Sequence, residues 1–197
     1  MRVILPSIER PKKLPVVLGH NEVRQLLKAP KLLKHRLVLA MLYGCGLRSF
    51  ELCNLQLKDL DLERKMLHVR QGKGRKDRYV PLCAMQVRGL RKYISAERPV
   101  TWCFNGNDSK GDPVALSTTG VQWIVREARK HSGIQKEVTT HSLRHSYATH
   151  LLEMGLDIIS VKDLLGHADI QTTLTYLHVA QLGRQRPFSP LERLYNK

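Results

Sequence analysis

One change in the hydrophobic periodicity of this chain restricts the fold classes that it can adopt. Apolar residues recur at helical spacing over most of the 197 residues, but residues 59–62, 66–70 and 78–81 alternate between apolar and polar side chains. Alternation is typical of a β-strand, whereas a spacing of three or four residues is typical of an α-helix. The sequence therefore predicts a mainly α, α+β fold: a helical bundle with one small antiparallel sheet, three-stranded if all three segments pair.

The helices are predicted from this spacing and from the residues that end them. Pro30 ends the first helix, and Gly44 and Gly46 end the second, whose long apolar run indicates deep burial. Residues 99–116, rich in Gly, Asn and Asp, are predicted to form a variable or disordered loop. The predicted helices cover residues 21–29, 31–43, a short segment from 47, 82–97, 117–131, 139 or 140 to 155, 157–165, and 169 or 172 to beyond 176.

The charge of the chain indicates a polyanionic partner. Lys and Arg number 33 and Asp and Glu number 17, which gives a formal net charge of +16. In a well-patterned globular chain such a balance favours nucleic acid over the alternatives, a solvated basic surface or a membrane-surface binder. Residues 64–78 alone hold seven Lys or Arg against Asp77, so the turn between two predicted strands is a basic tip.

The cysteines and the apolar segments indicate a reducing compartment. Four scattered cysteines form no C-x-x-C pair, which argues against a disulfide scaffold or a zinc ribbon. No apolar run approaches the length of a membrane span, and the first residues are too short an apolar stretch for a signal peptide. We therefore expect a cytoplasmic protein with no membrane partner and no cofactor.

Residues 140–176 hold the candidate site. His141 and Arg144 lie three residues apart, so they share one helix face with His145 close by, and both could bind a phosphate. His167 follows a helix-ending glycine, where the negative end of the helix dipole could simply stabilise a protonated imidazole. Tyr176 could be half-buried core, although its polar neighbours favour an exposed phenol. A zinc site at His141 and His145 is a weaker alternative, because the glutamate of the H-E-x-x-H motif is absent.

Two further stretches add candidate cations. Arg48 follows a glycine break and has Glu51 three residues on, which could orient the guanidinium, or could form a surface ion pair of little consequence. Lys73 lies between two glycines at the predicted hairpin tip. There it could reach into a groove of a bound nucleic acid, or it could remain a solvated turn residue. The predicted contacts to the DNA backbone are Arg75, Lys76 and Arg78 in the hairpin, and Lys12 and Lys13 in the N-terminal segment.

No single signal is specific, but their order and spacing resemble a known family. The stretches are G-L-R-S-F-E-L at 46–52, G-K-G-R-K-D-R-Y-V-P-L at 72–82, T-H-S-L-R-H-S-Y-A-T-H-L-L at 140–152 and L-L-G-H-A-D-I-Q-T-T-L-T-Y-L-H-V at 164–179. Together they resemble the tyrosine recombinase (phage integrase) family, in particular its Xer-like and integron-integrase branch. The resemblance covers roughly residues 15–180 and implies the DNA breaking-rejoining catalytic fold.

Matching the motifs residue by residue implies six catalytic positions. They are the arginines Arg48 and Arg144, the hairpin lysine Lys73, the histidines His141 and His167, and the nucleophile Tyr176. Glu51 is a supporting residue. One departure from the family pattern is Ser49-Phe50, where relatives usually have an aliphatic residue and then a small one, and this concerns helix packing more than chemistry.

The chemistry of these residues suits cleavage of a phosphodiester. A phenol has an ordinary pKa near 10 and needs activation, and the phosphate gains negative charge that two guanidiniums can stabilise without a metal. The resemblance implies that His141 accepts the phenolic proton and that Lys73 protonates the departing 5′-oxygen. It also implies a 3′-phosphotyrosine intermediate, which stores the bond energy so that rejoining needs no ATP.

The resemblance also implies the organisation of the chain and its partners. Residues 1–15 are expected to be a basic linker, residues 16–180 the catalytic domain, and residues 181–197 a tail that docks onto a neighbouring protomer or is a frayed end. We expect this chain to lack the N-terminal core-binding domain that is usual in the family. The expected partner is double-stranded DNA in the bacterial nucleoid, bound by a homotetramer of chains that are monomers in isolation. Alternatives are an idle DNA-binding remnant or regulator and, less favoured, a type IB topoisomerase.

Overall fold

The structure is a computed structural model that describes residues 15–70, 77–108, 110–177 and 179–180. Within these ranges the chain is mainly helical, as predicted. The helices are α1 (His20–Lys28), α2 (Leu33–Gly44), α3 (Ser49–Cys53), α4 (Ala84–Glu97), α5 (Thr118–Ser132), α6 (Thr140–Glu153), α7 (Ile158–Leu165) and α8 (Gln171–Leu177), with a single 3₁₀ turn at Leu57–Asp59. None of the helices in the described part of the chain is both long and apolar enough to cross a membrane.

The sheet predicted from the alternating segments is confirmed. Its strands are β1 (Leu60–Asp61), β2 (Met66–Val69) and β3 (Arg78–Pro81), and they pair in the order β1-β2-β3 with antiparallel neighbours. In β3 the burial alternates, so that Arg78 and Val80 face inward while Tyr79 and Pro81 face outward. This period of two residues places Arg78 on the core side of the sheet.

The predicted loop at 99–116 contains a second, unpredicted hairpin. Strands β4 (Asn105–Asn107) and β5 (Pro113–Ala115) pair antiparallel. A bridge between Gln56 and Trp102 and a hydrogen bond from the Cys103 amide to the Leu55 carbonyl, 2.7 Å, attach the preceding residues to the rest of the fold. The strands Asn-Gly-Asn and Pro-Val-Ala are too short to show an alternating pattern, so the prediction of a disordered loop was wrong here.

Two central helices, α2 and α6, organise the core. α2 contacts α1, α3, α4, α5 and α6, and its residues 37–39, 41 and 42 are all buried, which confirms the predicted deep burial. α6 begins after Thr139, whose hydroxyl accepts a hydrogen bond from the Ser142 amide, so Thr139 rather than Thr140 is the N-cap. Buried polar residues share α6 with buried apolar ones, as expected of a helix enclosed on several sides.

A separate apolar cluster joins α6, α7 and α8. Tyr147, Leu152, Val161, Leu165 and Tyr176 are buried together, with Ala148 among them. α7 ends at Gly166 in the left-handed conformation, φ 62°, as the sequence predicts, and the chain then turns back into α8. This cluster fixes the positions of α7 and α8 relative to α6 and so determines where His167 and Tyr176 lie.

Candidate active site

One cavity brings the candidate residues together. Arg48, His141, Arg144, His167 and Tyr176 all line a cavity of about 290 Å³ that also contains His145, Ala168, Asp169 and Thr172. These residues come from the segment before α3, from α6, from the segment that joins α7 to α8, and from α8. The sixth predicted residue, Lys73, lies outside the described residues, as do Arg75, Lys76, Lys12 and Lys13.

Arg144 is held by backbone carbonyls from two other segments. Its side chain is buried, Nη2 donates to the Leu165 carbonyl at 2.6 Å, and Nη1 donates to the Gly46 carbonyl. Leu165 is the last residue of α7, where helix carbonyls lack intrahelical partners, so the arginine caps that helix end. Burial, with repulsion from Arg48, lowers the pKa of Arg144 to about 10, which leaves it fully charged at neutral pH.

Arg48 is oriented by a buried carboxylate. Arg48 Nη1 lies 2.7 Å from Glu51 Oε1, and the Arg48 amide donates to Glu51 Oε2 at 2.8 Å. Arg78 donates to the same carboxylate with both terminal nitrogens, at 2.9 and 2.7 Å, and Arg144 Nη1 lies 3.9 Å from it. Burial opposes ionisation, but the hydrogen bonds and charge of Arg78 lower the pKa of Glu51 to about 2. Glu51 is therefore an ionised centre between three guanidiniums.

Arg78 does not lie where the sequence prediction put it. It was predicted to contact the DNA backbone, but its side chain is buried, and its Nε donates to the Leu164 carbonyl at 2.8 Å. The reason is the strand period, since Arg78 stands two residues before the buried Val80 on the same face of β3. This alternation was visible in the sequence and should have outweighed the basic composition of the hairpin.

His167 is a buried, neutral imidazole. Burial, and then the charges of Arg144, Arg48 and Arg78, lower the pKa of His167 to about 3. Its Nδ1 lies 2.9 Å from the hydroxyl of the buried Thr173. A neutral imidazole with one nitrogen engaged can present the other to the cavity as a single hydrogen-bonding group. The alternative, in which His167 is protonated and stabilised by the helix C-terminal dipole, is therefore not supported.

Tyr176 is buried rather than exposed, against the prediction from its polar neighbours. The side chain is 3% exposed, and its hydroxyl lies 3.0 Å from Nδ1 of His145. Burial raises the pKa of Tyr176, while the charges of Arg144 and Arg48 act in the opposite direction. His141, the predicted proton acceptor, is exposed at the edge of the cavity, and the phenol is bonded to the histidine one helical turn further along α6. The sequence predicts His145 as a neighbour on this face and as a weak zinc-ligand candidate, but it does not predict this contact with Tyr176.

The comparison with known proteins fits this geometry. A model of the phage integrase family matches residues 16–182, most of the chain. The chain belongs to this family. The tyrosine recombinase XerA of Thermococcus onnurineus is 40% identical over 171 residues, which cover 86% of this chain and 60% of the relative.

Solved structures of integrase-family proteins share the fold. The crystal structure of XerA recombinase matches with a TM-score of 0.76 at 31% identity, over 98% of this chain and 66% of that one. The site-specific recombinase XerH, in a post-cleavage complex with its palindromic difH substrate, matches with a TM-score of 0.73 at 26% identity, over 92% and 53%. The predicted catalytic-domain fold is thereby confirmed. The chain spans about three fifths of the length of several curated relatives that it matches, and 76% of another.

The zinc alternative at His141 and His145 finds no support among the described residues. Among the residues that the structure describes, the group with suitable spacing is His20, His150 and Glu153, and it includes neither His141 nor His145. Nδ1 of His150 is 2.8 Å from the Tyr43 hydroxyl. The rings of His20 and His150 stack with centroids 3.9 Å apart.

Gly46 is required between α2 and α3, because it combines a positive φ of 59° with a close approach to a ring. A Cβ there would lie 2.4 Å from Cδ1 of Tyr147. We expect Gly46→Ala to lower the free energy of unfolding by about 2–4 kcal/mol, from left-handed strain plus overpacking. Gly133→Ala is the matched control, since Gly133 has φ 74° with nothing within 4 Å, and it should cost about 1 kcal/mol. Urea unfolding measures both, and equal losses would contradict the steric argument.

The carboxylate of Glu51 should make the fold acid-labile. Its pKa falls from an ordinary 4.5 to about 2 in the folded state, so its stabilisation is present above pH 4.5 and is lost as the pH falls towards 2. At about 1.4 kcal/mol per pKa unit this amounts to roughly 3 kcal/mol, most of it lost by pH 3. Urea unfolding at pH 6 and pH 3 should show a smaller pH dependence in Glu51→Gln than in the wild type. The same dependence in both proteins would exclude Glu51 as its source.

Proposed function

We propose that this chain is the catalytic domain of a site-specific DNA recombinase or integrase. It would cleave and rejoin DNA strands through a 3′-phosphotyrosine intermediate, without a metal or ATP. The observation that supports this most is the meeting of a buried phenol with two guanidiniums, Arg48 and Arg144, in one cavity. A phosphate that enters the cavity would neutralise these cations, and Tyr176 would then be the nucleophile next to it.

Each described side chain has a role that its geometry suits. The guanidiniums stabilise the charge that develops on the non-bridging oxygens, and a group fixed before the reaction costs no reorganisation. His167 is neutral and contributes a hydrogen bond, not a charge. His141 at the cavity edge is placed for a further hydrogen bond to phosphate. Lys73, from its match to the family motif, would donate the proton to the leaving 5′-oxygen.

The substrate in this proposal is duplex DNA. The net charge of +16 favours a polyanion, and binding should weaken steeply with salt as phosphate counterions are released. Lys12, Lys13, Arg75 and Lys76 remain the proposed contacts to the DNA backbone. We extend the proposal to residues 16–180 as the catalytic domain, residues 1–15 as a linker and residues 181–197 as a docking tail. Synapsis by four copies that are monomers in isolation, and a cytoplasmic, nucleoid-associated location, belong to the same proposal.

Relaxation of a supercoiled plasmid tests cleavage and rejoining together. The chain should relax the plasmid with ATP absent and with EDTA present, because Arg48 and Arg144 replace the metal as the source of positive charge. Gel electrophoresis of the topoisomers measures the result, with heat-denatured protein as the control. Binding of DNA without any relaxed product would contradict the proposal and favour the idle DNA-binding chain.

A further inference from the structure

The hydroxyl of Tyr176 has a specific partner that the family motif does not assign. Nδ1 of His145 lies 3.0 Å from the phenolic oxygen, within hydrogen-bond reach, and the two ring centroids are 5.4 Å apart. His145 is half-buried, whereas His141 lies at the exposed edge of the same cavity. A general base must be within hydrogen-bond reach of the proton it takes, and His145 meets that requirement here.

We propose that His145 is a catalytic residue that accepts the phenolic proton of Tyr176 during cleavage and returns it during rejoining. The proposal rests on the function proposed above and assigns the proton acceptor of that reaction. His141 is then left free to bind the phosphate from the cavity edge. The two histidines, one helical turn apart on α6, therefore divide the tasks that sequence reasoning gave to His141 alone.

The position of His145 supports this role. It directly follows Arg144, whose guanidinium is fixed by two backbone carbonyls, so α6 holds the base and the phosphate-binding cation in one rigid frame. Burial, and then the charges of His141 and Arg144, lower the pKa of His145. The imidazole is therefore neutral at neutral pH and has a lone pair with which to accept a proton.

The proton balance of the cleavage step is complete with the groups already named. The Tyr176 oxygen forms a bond to phosphorus as the bond from phosphorus to the 5′-oxygen breaks. The phenolic proton moves to Nδ1 of His145, and the 5′-oxygen takes a proton from Lys73 in the proposed scheme. Rejoining reverses every transfer, so protonated His145 is the acid that releases Tyr176.

His145→Asn gives a sharp test, because the asparagine side chain can retain a hydrogen bond near the Nδ1 position but cannot take up a proton. Cleavage of a pool of short nicked duplexes, with randomised sequence around the nick, would be followed as SDS-resistant covalent complex. At pH 7 the variant should be slower by roughly 10²- to 10⁴-fold, the usual contribution of a general base. Circular dichroism and urea unfolding should show that the variant is folded.

The pH profile separates proton transfer from a structural role. The wild-type rate should fall in acid as His145 becomes protonated and should be level at neutral pH. The His145→Asn rate should instead rise about tenfold per pH unit, because the phenol must ionise to solvent. His141→Asn should keep the shape of the wild-type pH profile at a lower rate.

The other titratable or charged groups that face His145 lie on several elements. They are His141 and Arg144 on α6, Arg48 before α3, His167 and Asp169 between α7 and α8, and Tyr176 on α8.

A measurement without DNA tests the contact itself. Proton NMR would follow the imidazole of His145, assigned by its loss in His145→Asn, through a pH titration. Removal of the phenolic donor in Tyr176→Phe should raise the pKa of His145 by about half a unit to one unit, the equivalent of one hydrogen bond. An unchanged titration would overturn the contact.

The outcomes distinguish this inference from the function on which it rests. Covalent complex formed by the wild type, and by His145→Asn at the same rate and with the same pH profile, would overturn the role of His145 and leave the recombinase proposal standing. Complete absence of covalent complex from the wild type, on every duplex in the pool, would overturn the proposed function and this assignment with it.

Discussion

Replacement of Tyr176 by phenylalanine should abolish the covalent capture of nicked DNA. The substitution removes one oxygen from a ring that is packed against α6 and α7, so the fold should persist while the nucleophile is lost. Loss of an enzymatic nucleophile typically costs roughly 10⁴-fold or more in rate, which would leave no measurable complex. SDS gel electrophoresis of the protein with labelled nicked duplex measures the effect.

Tyr147→Phe is the matched control for that experiment. Tyr147 is also a buried tyrosine of the cluster that joins α6, α7 and α8, but it is not among the residues that line the cavity. It should form the complex at close to the wild-type rate. If Tyr176→Phe still formed the complex, or if Tyr147→Phe lost it as completely, Tyr176 would not be the nucleophile.

Replacement of Arg144 by lysine should produce the second large effect. The guanidinium donates to two carbonyls, from Gly46 and from Leu165, with a planar arrangement that an ammonium group cannot reproduce. The positive charge is kept, so the test isolates geometry from charge. We expect cleavage to slow by about 10³-fold, the upper range for loss of one preorganised donor to a developing negative charge.

Single-turnover cleavage rates and urea unfolding should be measured on the same Arg144→Lys protein. The unpaired carbonyls should also lower the free energy of unfolding by about 1–3 kcal/mol. Arg126→Lys makes the same chemical change at an exposed position on α5 and should leave both quantities close to the wild type. A cleavage rate for Arg144→Lys within a few-fold of the wild type would contradict the role assigned to this side chain.

The sequence predicted those parts of the fold that depend on interactions between residues close together in the chain. Helical spacing and the helix-ending Gly166 depend on neighbours within a few residues, and both appear as predicted. The same is true of the small sheet, whose strands alternate clearly. The hairpin of β4 and β5 was missed because three-residue strands, with Gly106 in one of them, have too few side chains to show a period.

The site was predicted in its residues but not in its contacts. The cavity unites five of the predicted positions, yet the burial of Tyr176 and its bond to His145 depend on how α8 packs on α6, and no local pattern records that packing. Arg78 was assigned from composition, although the strand period pointed inward. Charge counts describe a segment as a whole, whereas the role of one side chain depends on the face on which it lies.

The central claim is that Tyr176 is the nucleophile, and the most direct test is to locate the residue to which DNA becomes attached. The covalent complex would be digested with nuclease and protease, and mass spectrometry would locate the peptide that retains a nucleotide. We expect a nucleotide joined through its 3′-phosphate to the phenolic oxygen of Tyr176. A nucleotide on any other residue, or one joined through a 5′-phosphate, would contradict it.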